Sequence, residues 1–337
     1  MKRSVFVFLT VGLLVFSLTT AFAGGQGDAA KGPVSLKLGS SMADNTVEVT
    51  SAKQFAKLLD EYSKGTIKCD VLAGGLGGGE REIVEGQQLG TMDMSVVSGI
   101  LQNFDPAMMI MEYDLLFVSE DHVKKVFYGP VGQKIFDRLL SKTKIRILST
   151  FMRTPRLMST TRAINSAADL RGLKLRVPEM KARTALWAAL GASPTPMSFP
   201  EVYTALQTKT IDGQENPITA IVGSKFYEVC DYLAITNHVY GFMFVTIADP
   251  KYQTFNAEQK GWINKAAEEA AVFNDKLVKE QEKKEMDIAT ARMKVTQPDT
   301  SSWRSMTQDV YKQFLDVDGF QELYFAIVEA GKEFEKK

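Results

Sequence analysis

Arg-Leu-Met-Ser-Thr-Thr (156–161), Gly-Leu-Lys-Leu-Arg-Val-Pro-Glu (172–179), Gly-Ala-Ser-Pro-Thr-Pro-Met-Ser-Phe (191–199) and Asp-Gly-Gln-Glu-Asn-Pro (212–217) decide how this chain is read. Leu173, Leu175 and Val177 alternate with Lys174 and Arg176, the period of a half-buried strand, and Pro178 stops it. Arg176 is therefore expected at a strand end. Asn216 precedes Pro217, and proline is favoured in the first turn of a helix, so Asn216 is expected to cap a segment running through Phe226. In open α/β sheets the crevice beyond the carboxyl ends of the strands receives ligands. An arginine's planar fork of donors there matches a carboxylate, and a nearby amide holds what the fork leaves free. Taken singly, an arginine at a strand end is more often a surface ion pair, and an asparagine before proline is more often only a cap.

The same runs, joined by Glu-Val-Tyr-Thr-Ala-Leu-Gln-Thr (201–208), Lys-Phe-Tyr-Glu-Val (225–229), Leu-Gly-Gly-Gly-Glu-Arg-Glu (76–82) and Gln-Leu-Gly-Thr-Met-Asp-Met (88–94), carry a resemblance. In order, and over nearly the whole mature chain, the sequence resembles the solute-binding proteins of TRAP transporters, the DctP type. The resemblance implies a two-lobed, Venus-flytrap α/β fold of the periplasmic-binding-protein kind, with a long helix lying across both lobes. It implies a periplasmic receptor that binds a small organic acid between the lobes and delivers it to small and large membrane permease subunits. By the same resemblance Arg176 pairs with the substrate carboxylate, Arg156 is a second arginine, Asn216 an amide ligand and Phe199 an aromatic wall. Glu80 and Ser98 fall near positions that face the rest of the ligand. Arg153 departs from the pattern, because many relatives have an uncharged residue there. Facing the cleft, it would favour a second acidic group on the substrate, so dicarboxylates, keto acids and sugar acids all stay open.

The chain begins with Lys2 and Arg3, an apolar run over 5–18 and Ala21-Phe22-Ala23, which together read as a secretory signal over 1–23. Fourteen residues of helix rise only ~21 Å, short of a ~30 Å hydrocarbon core, so the run is not expected to be a permanent anchor. A glycine- and alanine-rich leader over 24–33 follows, and the fold is expected to start near Val34. Forty basic residues against forty acidic ones give no net charge, which argues against a nucleic-acid partner held by bulk electrostatics. Cys69 and Cys230 are the only cysteines. Cys69 lies in the alternating run over 67–72 and Cys230 in 228–233, and each is expected as a small core residue rather than half of a bridge.

About 304 residues beyond the leader exceed what one core usually organises. The expected lobes are 34–151 with about 242–281, and about 152–241 with 282–337, joined by hinges near Phe151 and Gly241. The first opens as β, α, β, α, β: a strand at 35–40, a helix at 47–62, a strand at 66–72, a helix at 80–89 and a strand at 92–97. Such alternation implies a mostly parallel sheet covered by helices. One further helix over about 120–141 and a strand at 145–150 complete this part. In the second part, helices are expected at about 180–190 and 200–207, and strands at 232–236 and 241–247. Asn256 with Gln259 three later resembles a capping box, and no proline intervenes before Pro298, so a helix of ~36 residues and ~54 Å is expected. The segment from about 301 to 337 is expected to return as helix onto the second lobe.

Chemistry beyond binding finds little support. His122 and His238 lack metal-ligand spacing, and no Gly-x-Ser-x-Gly elbow or His-Glu-x-x-His helix occurs. Glu80 and Glu215 are the carboxylates that an acid/base pair would use, which leaves an enzyme acting on an organic acid as an alternative. A receptor feeding a sensor is another. The glycine cluster over 74–79 has neither a Gly-Lys-Ser/Thr ending nor dinucleotide spacing, and is read as a permissive turn at the cleft rim. No cofactor is expected, and oligomeric state is not readable from these letters.

Overall fold

A computed structural model describes residues 33–334; the signal sequence expected over 1–23, and the leader after it up to residue 32, lie outside the described residues. The chain opens with β1 (Val34–Gly39), α1 (Val47–Tyr62), β2 (Ile67–Leu72), α2 (Glu80–Leu89) and β3 (Met94–Val97). Two 3-10 segments, Gly99–Asn103 and Pro106–Glu112, lead to α3 (Glu120–Phe127), α4 (Pro130–Thr143) and β4 (Ile145–Met152). Next come β5 (Arg156–Thr160), β6 (Lys174–Val177), α5 (Lys181–Ala189), β7 (Ser193–Pro196), α6 (Val202–Gln207), β8 (Gly213–Pro217), α7 (Ile218–Gly223) and β9 (Tyr232–Ala234). The chain closes with β10 (Phe242–Ala248), α8 (Asp249–Gln253), α9 (Ala257–Arg292), β11 (Lys294–Thr296), α10 (Trp303–Thr307) and α11 (Phe320–Gly331).

These strands make two sheets, ordered β2-β1-β3-β10-β4 and β11-β9-β5-β8-β6-β7. Each sheet is parallel but for one strand: β10 runs antiparallel to β3 and β4, and β5 runs antiparallel to β8 and β9. Both are the first strands laid down after the chain passes from one sheet to the other. Parallel neighbours need a long crossover, whereas an antiparallel strand can be reached through a short connection. The fold is thus α/β and two-lobed.

Apolar periodicity builds the cores. Val49, Ala52, Phe55 and Leu59 form the buried stripe of α1, which packs with Leu36, Leu38 and the small residues Ala266 and Ala270 of α9 on one face of the first sheet. The other face is covered by α3 and α4 through Phe127, Ile135 and Leu139, packed on Phe242 and Phe244. In the second sheet, Met158, Leu173 and Leu175 pack against Trp187 and Trp303, while Leu157 and Leu233 face Ile218, Phe226 and Cys230. The expected capping box is present: Asn256 Oδ1 accepts from Gln259 N at 2.9 Å, and Gln259 Oε1 accepts from Asn256 N at 3.0 Å. α9 runs 36 residues. Its first half belongs to the first core, and Ala289 near its end belongs to the second.

Three expectations need correction. The single helix over 120–141 is two, because Gly129 adopts an extended conformation and Pro130 opens α4 at its first turn; proline lacks the N–H that an uninterrupted helix would use. Asn216 does not cap a helix. It lies inside β8, paired with Leu157, while Pro217 pairs with Arg156, so strand pairing overrides the local preference of the Asn-Pro step. The last segment does not return wholly to the second sheet. Trp303 does, but Phe320, Leu323 and Ile327 pack among Val123, Phe127 and Leu139. Their spacing gives α11 one apolar stripe, which matches the face that α3 and α4 leave open.

Cys69 in β2 and Cys230 in the second core are free thiols. Burial pushes the Cys230 thiol up to about 12. Among the described residues no helix is long and apolar enough to cross a membrane, and no three His, Cys, Asp or Glu side chains are grouped to hold a metal.

Candidate functional site

The site begins with β6. Its residue Arg176 pairs with Gln214 of β8 on one side and Thr195 of β7 on the other, so its side chain leaves the sheet where β7 ends. There Nε and Nη2 donate to the Met197 carbonyl at 3.0 and 2.7 Å. The guanidinium stands over the Phe199 ring, 5.6 Å from its centroid. Arg176 is only 3% exposed, and burial lowers it to about 10 despite the attraction of Glu215. Among the described residues no carboxylate comes within ion-pair distance, 4.0 Å, of this cation.

The neighbouring arginines are placed differently. Arg156, first residue of β5, donates through Nη2 to Glu215 Oε1 at 2.9 Å and to the Glu215 carbonyl at 2.6 Å, and its Nε bonds Glu215 Oε2. Its Nη1 reaches Glu112 Oε1 at 3.4 Å. Arg153 donates through Nε to Glu48 Oε1 at 3.1 Å and through Nη2 to Asn216 Oδ1 at 3.5 Å, with Glu112 at 3.7 Å. Arg183 of α5 is buried behind them. It holds Asp114 at 2.7 Å, the Glu112 carbonyl at 3.1 Å and Glu215 Oε1 at 3.4 Å. His238 Nε2 closes the network on Glu215 Oε2 at 3.1 Å.

This arrangement sets the protonation of its carboxyls. Burial opposes ionisation of Glu215, but Arg156, Arg183 and the His238 bond outweigh it and hold the carboxyl well below its usual range. Glu112 is likewise held low, because Arg183, Arg156 and Arg153 together outweigh its burial. Glu80 goes the other way. Burial and the nearby Glu112 push it up, against the bond from Ser98 and the attraction of Arg153; Ser98 Oγ donates to Glu80 Oε2 at 3.0 Å.

All seven residues singled out from sequence line one cavity: Arg153, Arg156, Arg176 and Asn216, with Phe199, Glu80 and Ser98. Ser41, Met42 and Met197 join them, and Arg81 and Glu179 also line it. To the centre of a water molecule the enclosed volume is about 30 Å³, room for about two waters. The glycine turn packs against the segment 198–200, of which Ser198 and Phe199 line the cavity. Gly75, at φ +85°, lies so close to Pro200 that an added Cβ would meet its Cγ at 3.0 Å, and an added Cβ at Gly79 would overlap the Ser198 hydroxyl. Sequence reasoning missed Glu48, Glu112, Asp114 and Arg183. The one signal for Glu112 is a carboxylate ending the apolar run Ala-Met-Met-Ile-Met over 107–111; nothing local marks Arg183.

Residues 38–317 match the model of the bacterial extracellular solute-binding protein family 7, DctP. The chain is 34% identical over 307 residues to the sialic acid-binding periplasmic protein SiaP of Vibrio cholerae, covering 90% of this chain and 95% of that protein. It is 32% identical over 255 residues to the 2,3-diketo-L-gulonate-binding periplasmic protein YiaO of Escherichia coli, covering 75% of this chain and 77% of that one. Among solved structures, a TRAP periplasmic solute-binding protein of Roseobacter denitrificans with bound L-galactonate is similar with a TM-score of 0.84 and 30% identity, covering 89% of this chain and 99% of that one.

Proposed function

From the premise that this chain belongs to the bacterial extracellular solute-binding protein family 7, the DctP type, we infer that it is the solute receptor of a TRAP transporter for a small organic acid. The observation that carries the reading is Arg176, a buried cation with no carboxylate among the described residues in ion-pair reach, opening on a cavity. Burying a charge without a partner is costly, so the position makes physical sense when an anion from outside completes it. The acid's carboxylate docks on Arg176, against Phe199 and near Asn216. Arg153 and Arg156 present N–H groups already fixed by protein carboxylates. The relatives' names support an acid: sialic acid, 2,3-diketo-L-gulonate and L-galactonate each carry a carboxylate.

The cavity has room for about two waters, so a ligand of about a dozen heavy atoms enters by separation of the lobes and is held by their closure, hinging at the two crossings near residues 152–156 and 234–242. The ligand shifts this equilibrium only by its preference for the closed form. The closed receptor then hands the acid to membrane permease subunits from the periplasmic side. No turnover is assigned: Glu215, the base an enzyme reading would use, is spent on Arg156, Arg183 and His238.

The test is a thermal-shift and calorimetric screen against organic acids and their neutral amides. A ligand at a hundred times its dissociation constant adds ~2.7 kcal/mol to stability. A shift with an acid, absent with its amide and absent in Arg176→Ala, supports the reading; acid binding indifferent to Arg176 removes it.

A further inference from the structure

We propose that the pocket selects an acid with one carboxylate and a hydroxylated tail, a polyhydroxy monocarboxylate of the aldonate kind, and discriminates against dicarboxylates. The inference rests on Arg176 receiving the carboxylate, as proposed above, and goes on to the rest of the ligand. Its basis is how the buried charges are shared out. Four buried arginines stand in or behind the pocket, and four buried carboxylates face them: Glu48, Glu112, Asp114 and Glu215. Arg153, Arg156 and Arg183 each contact at least one of these, and only Arg176 contacts none. Arg153, Arg156 and Arg183 are thus already committed to protein carboxylates, and Arg176 is the one cationic fork among these four with none. Arg81, at the mouth, is half exposed and tied to Glu85 at 2.9 Å.

What lines the remainder of the cavity is suited to hydroxyls. Ser41 is buried, lines the cavity, and its Oγ has no hydrogen-bond partner among the described residues. Ser98 Oγ, committed as donor to Glu80, keeps its lone pairs for accepting. Asn216 Nδ2 is held by Gln214 Oε1 at 2.6 Å and its Oδ1 by Arg153. Glu80, an acid and not a cation, lines the cavity beside Ser98. A hydroxyl both donates and accepts, so it satisfies serines and a carboxyl group alike; a second carboxylate only accepts, and among the described residues the cavity offers it no cation without a carboxylate partner besides Arg176. Arg153 was expected from sequence to draw a second acidic group, but Glu48 already holds it.

Matched ligands test this with the purified protein: galactonate, gluconate and gulonate against galactarate and glucarate, which differ from an aldonate only in carrying a carboxylate at the far end, with galactitol as the uncharged control. By calorimetry at neutral pH, at least one aldonate is expected to bind about a hundredfold or more tighter than its aldarate, and galactitol not at all. Two variants probe the cause. Glu48→Gln releases Arg153, and Glu80→Gln removes an acid from the cavity lining and leaves an amide that can donate; each is expected to narrow the aldarate gap by about tenfold, with circular dichroism confirming that each is folded. An aldarate that binds as tightly as its aldonate overturns the inference, as does a gap that neither folded variant moves. Binding of lactate or pyruvate with no six-carbon acid bound overturns the hydroxylated tail while leaving the organic-acid reading standing. Failure of every acid overturns that reading as well.

Discussion

Replacing Arg176 and Arg156 by methionine separates two kinds of buried arginine. Arg176 sits near 10 instead of 12.5, lowered first by burial; at 1.36 kcal/mol per unit this is about 3 kcal/mol of strain carried by the folded protein at neutral pH. Methionine removes that strain but strips the Met197 carbonyl of its two donors, a loss of about 1–3 kcal/mol. The net effect on the unliganded protein is between about zero and 2 kcal/mol of stabilisation, while acid binding falls by at least two decades, because a charged hydrogen bond is worth about 1.5–3 kcal/mol and a fork makes two. Arg156→Met does the opposite to stability. It removes the bidentate partner of Glu215, leaving it Arg183 and His238, and leaves Glu112 with fewer partners, at a cost of about 3–5 kcal/mol, which is roughly 6–20 °C in melting temperature. Differential scanning calorimetry without ligand, followed by titration with the bound acid, reads both quantities. A melting temperature for Arg176→Met as depressed as that of Arg156→Met would refute the argument, since Arg176 would then be a structural ion.

Gly79 has φ −74°, a conformation alanine adopts without strain, yet its Cβ would overlap Ser198. Gly79→Ala is expected to leave the melting temperature of the unliganded protein within a degree or two and weaken ligand binding about tenfold, with Ser198→Gly restoring it in the double variant; no rescue removes this contact as the cause. Glu285 on α9 has an oxygen without a hydrogen-bond partner among the described residues, and burial, then Glu48, raises it to about 7 from 4.5. Its folded form holds the proton more tightly, so the stability it contributes is full below pH ~4.5 and is lost as pH rises through ~7. Glu285→Gln should therefore match the parent at pH 4.5 and melt a few degrees higher at pH 8, and a gap independent of pH sinks the assignment. Asn256→Ala removes one side of the α9 capping box and is expected to cost about 1 kcal/mol in denaturant unfolding.

The sequence was legible where the signal was local or carried by a motif. The alternation of Leu173, Leu175 and Val177 marks β6 and with it Arg176, and the box of Asn256 and Gln259 starts α9. Where two local rules competed, one was misjudged. Pro217 reads equally well as a helix start or as the end of a strand that needs no N–H, and only the pairing with Arg156 decides between them. The charge network was not legible at all. Arg183 and Asp114 lie far apart in the chain and meet at 2.7 Å, and Arg153 finds Glu48 across a still longer separation. Without these partners, three arginines near one motif look like three anion sites, whereas in the folded protein Arg153 and Arg156 already hold carboxylates.

α9 is anchored at both ends, by Ile263, Ala266 and Ala270 in one core and by Ala289 in the other. The span between Ala270 and Ala289 is about 28 Å of continuous helix, and its backbone hydrogen bonds make it nearly inextensible. Pulling the two sheets apart cannot lengthen this rod; it can only flex it. The helix then behaves as a leaf spring clamped at each end, in which displacement at the cleft mouth is stored as curvature and returned as a restoring torque. This element lies far in sequence from the residues that line the cavity. Stiffening or loosening that spring would tune the work of opening while leaving the chemistry of recognition untouched.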